Sequence, residues 1–138
     1  MTKLFQKLNF KTGSSILCMN PPASFFTEMN LMSEFAEIHS EPILGLKFRF
    51  AMAFISNKEE LGNYFFQVFN VLEEDAVLWF CYPKMSSRKF SSNMNRDNGW
   101  EILTEKGFQT VRAVSIDEDW SALRFRKPEF SKSSRSRP

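Results

Sequence analysis

Three acidic residues stand directly before a tryptophan near the end of the chain, in the segment IDEDWSALRFRKPE. Asp117 and its two acidic neighbours could act as paired carboxylates in proton transfer if one of them were shielded from water. Adjacent acids in a turn, however, usually point in different directions and stay hydrated. A Ser-His-Asp hydrolase is not expected, because His39 is the single histidine and nothing places it beside Ser121. We therefore predict no catalytic residue here and expect a turn between two strands.

A second unusual segment, residues 84–96, carries four positive charges and no acidic residue. We expect it to lead into a helix from about Met94 to Lys106, whose N-terminus would lie near Ser92 or Asn93. Unpaired amides and the positive end of the helix dipole favour an anion at such a terminus. One interpretation is therefore a phosphate or carboxylate pocket, and the other is a solvated loop whose cations pair with the acids of residues 117–119. The four cations are Lys84, Arg88, Lys89 and Arg96.

The chain offers few residues that could hold a metal ion. Cys18 and Cys81 lie in separate strand-like apolar runs, and we expect both to be buried, reduced thiols. No Cys-x-x-Cys spacing occurs, and His39 has no histidine or cysteine nearby in the sequence. We therefore predict no metal site.

The composition describes one packed domain, since 138 residues with 43% apolar content suffice for one core. No apolar run approaches the roughly 20 residues that cross a bilayer. No signal-peptide pattern follows the N-terminus, so we expect a cytoplasmic protein without a membrane partner. The formal charge of +2 includes three positive charges in residues 131–138, which leaves −1 for residues 1–130. We expect a single α/β domain over residues 1–130 and a disordered basic tail over residues 131–138.

The hydrophobic periodicity predicts the elements that would position these segments. The order of strand and helix patterns predicts a three-layer α/β fold with a five-stranded, mostly parallel, Rossmann-like sheet. Its last two strands are separated by about three residues and must pair antiparallel. Ser56 to Glu59 forms a capping-box pattern before a helix, Glu73-Glu74-Asp75 is expected to be a turn, and residues 30–46 show no readable pattern. Strands are expected over residues 14–20, 47–55, 76–82, 108–116 and 120–126.

Parallel strands end at one edge of a sheet, and ligands of open α/β sheets bind outside that carboxyl edge. Asn20 follows the first predicted strand, Lys84 the third and Asp117 the fourth, so these residues should meet. Trp120 emerges at the same edge, either as a lid packed over the end of the sheet or as a stacking platform. The predicted ligand residues are Asn20, Lys84, Arg88, Lys89, Arg96, Asp117 and Trp120.

The last predicted strand places a charged residue on a half-buried face. Trp120, Ala122, Arg124 and Arg126 alternate on one side of this strand. Arg124 would then need a carboxylate partner. Glu101 or Glu105 of the preceding helix are the candidates.

Five segments of the chain, taken in order and spacing, form a recognisable series: KLNFKTGSSILCMNPP, FISNKEEL, AVLWFCYPK, MNRDNGWEILTEKGF and VRAVSIDEDWSALRFRKPE. The series resembles a family of small bacterial proteins with no assigned activity, a domain of unknown function. The resemblance covers roughly residues 4–128, and its most specific part is the closing Asp-x-x-Trp-Ser-x-Leu-Arg-Phe at residues 117–125. Where that family has a second lysine after the strand-end Pro-Lys, this chain has Met85.

The resemblance implies a fold similar to a truncated methyltransferase-type Rossmann sheet. Binding of S-adenosylmethionine or a dinucleotide needs a glycine-rich turn after the first strand and an acid after the second, for the ribose hydroxyls. The turn here reads Cys18-Met19-Asn20-Pro21-Pro22-Ala23 without a glycine, and the acid is not evident. We therefore predict no cofactor.

Three hypotheses about function follow. The first is a non-catalytic α/β domain that binds a small anionic ligand or a protein partner at the carboxyl edge. The alternative is a degenerate or altered-cofactor methyltransferase-like enzyme. A third interpretation is a weak nucleic-acid binder that uses the tail and the basic loop, which is the segment of residues 84–96. We do not expect nucleic acid as the partner. The oligomeric state is left open.

Overall fold

The computed structural model describes residues 1–130, and residues 131–138, where the sequence predicts the basic tail, lie outside the described residues. The α-helices are α1 (Lys3–Lys7), α2 (Phe26–Met32), α3 (Lys58–Phe69) and α4 (Glu101–Glu105). The strands are β1 (Ile16–Met19), β2 (Ile38–His39), β3 (Phe48–Phe54), β4 (Leu72–Pro83), β5 (Gln109–Ser115) and β6 (Trp120–Arg126). Two short 3₁₀ turns cover Ala23–Phe25 and Pro128–Phe130. No helix within residues 1–130 has the length and apolarity needed to span a membrane.

The strands form one sheet in the order β2-β1-β3-β4-β6-β5. β1 pairs parallel with β2 and β3, and β3 pairs parallel with β4. β6 lies between β4 and β5 and pairs antiparallel with both. The predicted Rossmann-like sheet, mostly parallel with an antiparallel pair at the end, is therefore confirmed. The sheet has six strands, and the prediction had five. The strand that was not predicted is β2, whose two residues are too few to show a periodicity in the sequence.

Both faces of the sheet are covered, as a mostly parallel sheet requires. Helices α3 and α4 pack on one face through Leu61 and Leu103. Helix α1, the residues that follow it, and α2 pack on the other face, where Phe5 and Trp79 are buried. The Trp79 indole N–H donates a hydrogen bond to the carbonyl oxygen of Leu8 at 2.8 Å, which fixes the end of α1 to the sheet.

The helix predicted from Met94 to Lys106 is wrong in its first half, since α4 has five residues and begins at Glu101. Polar side chains before it form local turns instead. The Ser92 hydroxyl accepts a backbone N–H two residues later at 3.0 Å. The Asn95 side-chain oxygen accepts the N–H groups two and three residues later, at 2.9 and 3.1 Å. Such bonds offer the backbone an alternative to the helical pattern.

Helix α3 begins one residue later than the capping-box pattern predicts. Asn57 is the N-cap, and its side-chain oxygen accepts the N–H of Glu60 at 2.8 Å. The Glu60 carboxylate accepts the N–H of Ser56 at 2.6 Å. Asparagine caps a helix as well as serine does, so Asn57 takes the N-cap position. The arrangement differs from a regular capping box in that Glu60 bonds the N–H of the residue before the cap instead of the N–H of the cap itself.

The predicted turn at Glu73-Glu74-Asp75 is part of β4 in the structure. The pairing of β3 with β4 shifts between Phe48 and Phe50, so β4 carries extra residues there, and Asp75 has a φ of 54°. A bulge of this kind can redirect a side chain. The Asp75 carboxylate consequently meets Arg126 at the end of β6, with two hydrogen bonds of 2.8 and 2.7 Å.

Candidate functional site

The strand order places a topological switch point between β1 and β3. From β1 the chain continues to β2 on one side and then returns to β3 on the other side. In open α/β sheets a ligand crevice opens at this point, outside the carboxyl ends of the strands. Asn20 follows β1 directly, and Phe54 ends β3, so both residues lie at the switch point.

Asn20 spans this point with its side chain. Its backbone has a φ of 56°, in the left-handed region that asparagine tolerates better than most residues. Its side-chain amide donates a hydrogen bond to the carbonyl oxygen of Phe54 at 2.8 Å. The bond joins the ends of β1 and β3 where a crevice would leave room for a ligand.

Pro21 and Pro22 follow in the same turn. Proline has no backbone N–H, so neither position offers a ligand an amide donor. The carbonyl oxygen of Pro22 accepts the N–H of Phe25 at 2.9 Å, which folds the chain back toward the sheet. The Phe25 ring then lies 4.9 Å from the Phe54 ring, centroid to centroid. The space beside the turn is therefore occupied by an aromatic ring.

Trp120 covers the neighbouring part of the edge. Its side chain is buried, with ring centroids 5.2 Å from Phe54 and 5.0 Å from Phe90. Its indole N–H has no hydrogen-bond partner among the described residues. These two protein rings take up the space around the indole that a stacked ligand would need. Trp120 is therefore packed as a lid over the end of the sheet and is not an open stacking platform.

The acidic corner between β5 and β6 is a turn organised by Asp117. One carboxylate oxygen of Asp117 accepts the N–H groups of Asp119 and Trp120 at 2.8 and 2.9 Å. The N–H of Ile116 bonds the Trp120 carbonyl oxygen at 2.9 Å. Side-chain oxygens of aspartate commonly stabilise turns in this way. The carboxylate thus has a structural task, which does not depend on a ligand.

The beginning of the basic loop is anchored to this corner. The N–H of Lys84 bonds the carbonyl oxygen of Asp119 at 2.8 Å, and the Lys84 ammonium donates to the Ser115 hydroxyl at 2.6 Å. The Ser87 hydroxyl donates to the Asp119 carboxylate at 2.8 Å. Lys84, Asp117 and Trp120 therefore meet at one edge, and Asn20 reaches it through Phe54. Their part in ligand binding stays a prediction.

The other three predicted cations form no ion pair with this network. Arg88, Lys89 and Arg96 are exposed, and none of them forms an ion pair within residues 1–130. The expected pairing with the acids of residues 117–119 is therefore not observed. The helix terminus that would complete an anion pocket near Ser92 or Asn93 is also missing there, because α4 begins at Glu101.

The two cysteines lie just beneath the carboxyl edge. Burial raises the pKa of the Cys18 thiol to about 12. Burial, and then the nearby Cys18 and Asp117, raise the pKa of Cys81 well above its ordinary value of 9.0. Such thiols stay protonated and unreactive at neutral pH. Among the described residues no three His, Cys, Asp or Glu side chains are grouped so as to hold a metal ion.

The structure also shows an acid that the sequence pattern did not reveal. β2 ends at His39, and the exposed Glu41 follows two residues later. In Rossmann-type folds an acid about 20 residues after the first turn binds ribose hydroxyls, and Glu41 has this spacing from Asn20. The signal was missed because the two-residue β2 did not mark the strand end.

Cavities lie at the opposite, amino edge of the sheet, which the sequence reasoning did not consider. One of about 290 Å³ is bordered by Phe69, Phe108 and Arg126. Another of about 240 Å³ is bordered by Lys11, Arg49 and Arg124. The available signal was the alternation that places Arg124 and Arg126 on one side of β6.

No protein-family model matches the chain, and no curated protein matches its sequence. Solved structures are similar at the level of the fold. A SAM-dependent methyltransferase from Aquifex aeolicus gives a TM-score of 0.62 at 13% identity, over 89% of this chain and 87% of that chain. The magnesium protoporphyrin IX methyltransferase from Synechocystis PCC 6803, with bound SAH, gives 0.56 at 10% identity, over 90% and 77%. The N-methyltransferase NodS from Bradyrhizobium japonicum WM9 gives 0.53 at 14% identity, over 90% and 92%.

At such low identity the likeness shows the fold alone. The expected methyltransferase-type Rossmann sheet is confirmed, and it extends over nine tenths of this chain in these comparisons. Membership in the bacterial family with the closing Asp-x-x-Trp-Ser motif stays a prediction, since no family model matches.

Proposed function

We propose that this chain is a degenerate methyltransferase-like protein, which keeps the sheet of those enzymes but has closed the crevice for S-adenosylmethionine. The observation that carries the proposal is the hydrogen bond from the Asn20 side chain to the Phe54 carbonyl oxygen, 2.8 Å long, across the switch point. In Rossmann-type folds a glycine at this turn lets the ligand approach the backbone closely. Here an amide side chain occupies that approach.

The rest of the turn does not fit the cofactor either. Pro21 and Pro22 remove two backbone donors, and the Phe25 ring fills the space beside Phe54. A polar ligand placed against these groups would lose hydrogen bonds to water without gaining replacements, which costs free energy. The residues at the end of β1 therefore disfavour S-adenosylmethionine.

In this proposal the carboxyl edge acts by binding a partner. The basic loop is anchored to the β5–β6 corner through Lys84 and Ser87. The next two residues, Arg88 and Lys89, are exposed to solvent and form no ion pair among the described residues. Exposed cations on an anchored loop favour an acidic partner surface, through steering and complementarity. Asn20, Arg96 and Asp117 are the further residues that we assign to this partner-binding edge.

A second candidate function is an enzyme with an altered mode of cofactor binding. Two observations favour it: Asn20 retains the left-handed backbone that a glycine would supply, and Glu41 has the spacing of a ribose-binding acid. In that case a nucleoside ligand would approach from the side of β2, and Glu41 would accept hydrogen bonds from its ribose.

Calorimetric titration with S-adenosylhomocysteine and S-adenosylmethionine separates the two candidates. If the protein is degenerate, we expect no saturable binding of either compound at millimolar concentration. The Asn20→Gly variant tests whether the amide alone closes the crevice, and we expect little recovery because both prolines remain. Saturable binding by the natural sequence that Glu41→Gln weakens about tenfold or more, while Glu34→Gln does not, contradicts the proposal and supports the altered enzyme.

A further inference from the structure

The amino edge of the sheet contains a cavity that has no part in the proposed function. It measures about 240 Å³ and lies between the residues that precede β1 and the adjoining ends of β3, β4 and β6. Asn9, Thr12 and Ser14 border it on one side. It is on the sheet face that α1 covers and at the edge opposite to the switch point.

The charges around this cavity are strongly unbalanced. Its lining includes the cations Lys11, Arg49, Arg124 and Arg126, and Asp75 as its acid. Asp75 already binds Arg126 through two hydrogen bonds of 2.8 and 2.7 Å, so its charge is compensated. Three cations therefore face the cavity without an ion pair among the described residues.

Arg124 differs from the other two cations in having a buried donor atom. Its Nε atom is buried and has no hydrogen-bond partner in the part of the chain that the structure describes. The expected partners Glu101 and Glu105 belong to α4, which packs on the other face of the sheet, so that expectation is wrong. A buried, unpaired guanidinium donor costs free energy unless a ligand satisfies it.

Like charges surround Arg124 as well. Arg112 lies directly opposite Arg124 in the pairing of β5 with β6. Like charges in that arrangement destabilise a sheet. Burial, and then the nearby Arg126, lower the pKa of Arg124 below its ordinary value of 12.5. An anion in the cavity would offset both the cost of desolvation and the repulsion.

The chemistry of the lining selects the kind of anion. Guanidinium groups present forked donors that match the oxygens of phosphate, and a lysine adds a flexible charge. The hydroxyls of Thr12 and Ser14 and the amide of Asn9 can donate further hydrogen bonds to phosphate oxygens. A carboxylate would use fewer of these donors than a phosphate would.

We propose that this amino-edge cavity binds the phosphate group of a small molecule, with Arg124, Arg49 and Lys11 as the charged ligands. Arg126, held by Asp75, forms the adjoining wall. The site is independent of S-adenosylmethionine and of the carboxyl edge, and it does not rest on the proposed function.

Calorimetric titration of the full chain with inorganic phosphate and with pyrophosphate, at constant ionic strength, tests the proposal. We expect saturable binding of at least one of them, which Arg124→Gln and Arg49→Gln each weaken about tenfold or more. The control is Lys58→Gln at the start of α3, an exposed cation with no assigned role, which removes the same charge and should leave the affinity unchanged. Arg49 is exposed in the structure, so its variant keeps the test valid even if Arg124→Gln does not fold.

Three results would overturn the site. The first is the absence of saturable binding by either anion. The second is an equal loss of affinity in Lys58→Gln and Arg49→Gln, which would indicate unspecific attraction by the net charge. The third is tighter binding of a single-stranded oligonucleotide than of pyrophosphate, with equal dependence on Arg88 and Arg49, which would indicate an extended nucleic-acid surface.

Discussion

The two edges of the sheet differ in how their polar groups are satisfied. At the carboxyl edge Asn20 and Asp117 bond to backbone groups, and Trp120 is enclosed by aromatic rings. At the amino edge Arg124 has a buried donor without a partner, beside an open cavity. The carboxyl edge also has a donor without a partner among the described residues, the Trp120 indole N–H, but this neutral group is enclosed by rings. The Arg124 donor belongs to a charged group beside a cavity that a ligand can enter, so a ligand has more to gain there. The fold alone would direct attention to the carboxyl edge, and the polar groups direct it to the amino edge.

The closed carboxyl edge can be broken most severely at Trp120. Replacement by alanine removes a buried indole between Phe54 and Phe90, and we expect the free energy of unfolding to fall by about 3–5 kcal/mol. Trp120→Phe keeps an aromatic ring and removes the unpartnered indole N–H, so it should lower the free energy of unfolding by much less. Urea unfolding of both variants measures the difference. Equal, small losses for the two would show that Trp120 is not part of the packed edge.

The pair of Asp75 and Arg126 is the equivalent test at the amino edge. Both side chains are largely shielded, with 28% and 20% exposure. Removing the charge of one partner leaves the other unpaired, so we expect Asp75→Asn, which tolerates the φ of 54° at this position, to lower the free energy of unfolding by about 1–3 kcal/mol. The adjacent, exposed Glu74 is the control, and Glu74→Gln should change it by less than about 0.5 kcal/mol. Losses of the same size in both variants would contradict the structural role of the pair.

Asn20 provides a milder test of the switch point. Asn20→Ala loses the hydrogen bond to Phe54 and places a less tolerant residue at a φ of 56°, for an expected loss of about 1–2 kcal/mol. Asn20→Gly loses the same bond but accepts the backbone conformation, so it should cost less. Thermal unfolding of both variants gives the order. If Asn20→Ala is no less stable than Asn20→Gly, Asn20 does not adopt the left-handed conformation in solution.

The thiol of Cys18 reports on the same edge through pH. Because its pKa in the folded protein is about 12 and its ordinary value is 9.0, the folded state keeps a proton that the unfolded chain loses between these values. Stability from this thiol is complete below pH 9.0 and declines as the pH rises above it. The slope approaches about 1.4 kcal/mol per pH unit. Urea unfolding of Cys18→Ala should show a shallower decline over this range, and an unchanged slope would mean that Cys18 is not buried.

The sequence predicted the parts of the fold that depend on local patterns. The alternation in β6 and the apolar run of β4 were sufficient to place those strands, and the short corner at Asp117 required antiparallel pairing. Local patterns failed where side chains compete with the backbone, as at Ser92 and Asn95, or where an element is too short to show a period, as in β2.

The candidate sites show the same limit. The topology rule was enough to bring Lys84 and Trp120 to one edge, because it needs only the directions of the strands. Nothing local indicated that the Asn20 amide would close the switch point. The pair of Asp75 and Arg126 joins residues 51 positions apart through a bulge, and Arg124 lost its expected partner because α4 lies on the other face.

The contrast between the two edges can be measured in one series of NMR spectra of the backbone amides. Pyrophosphate should shift the amides of Thr12, Arg49 and Arg124 in a saturable manner, and S-adenosylhomocysteine should leave Met19 and Asn20 unshifted. The opposite result, with Met19 and Asn20 responding to S-adenosylhomocysteine and the amino edge silent toward pyrophosphate, would contradict the account.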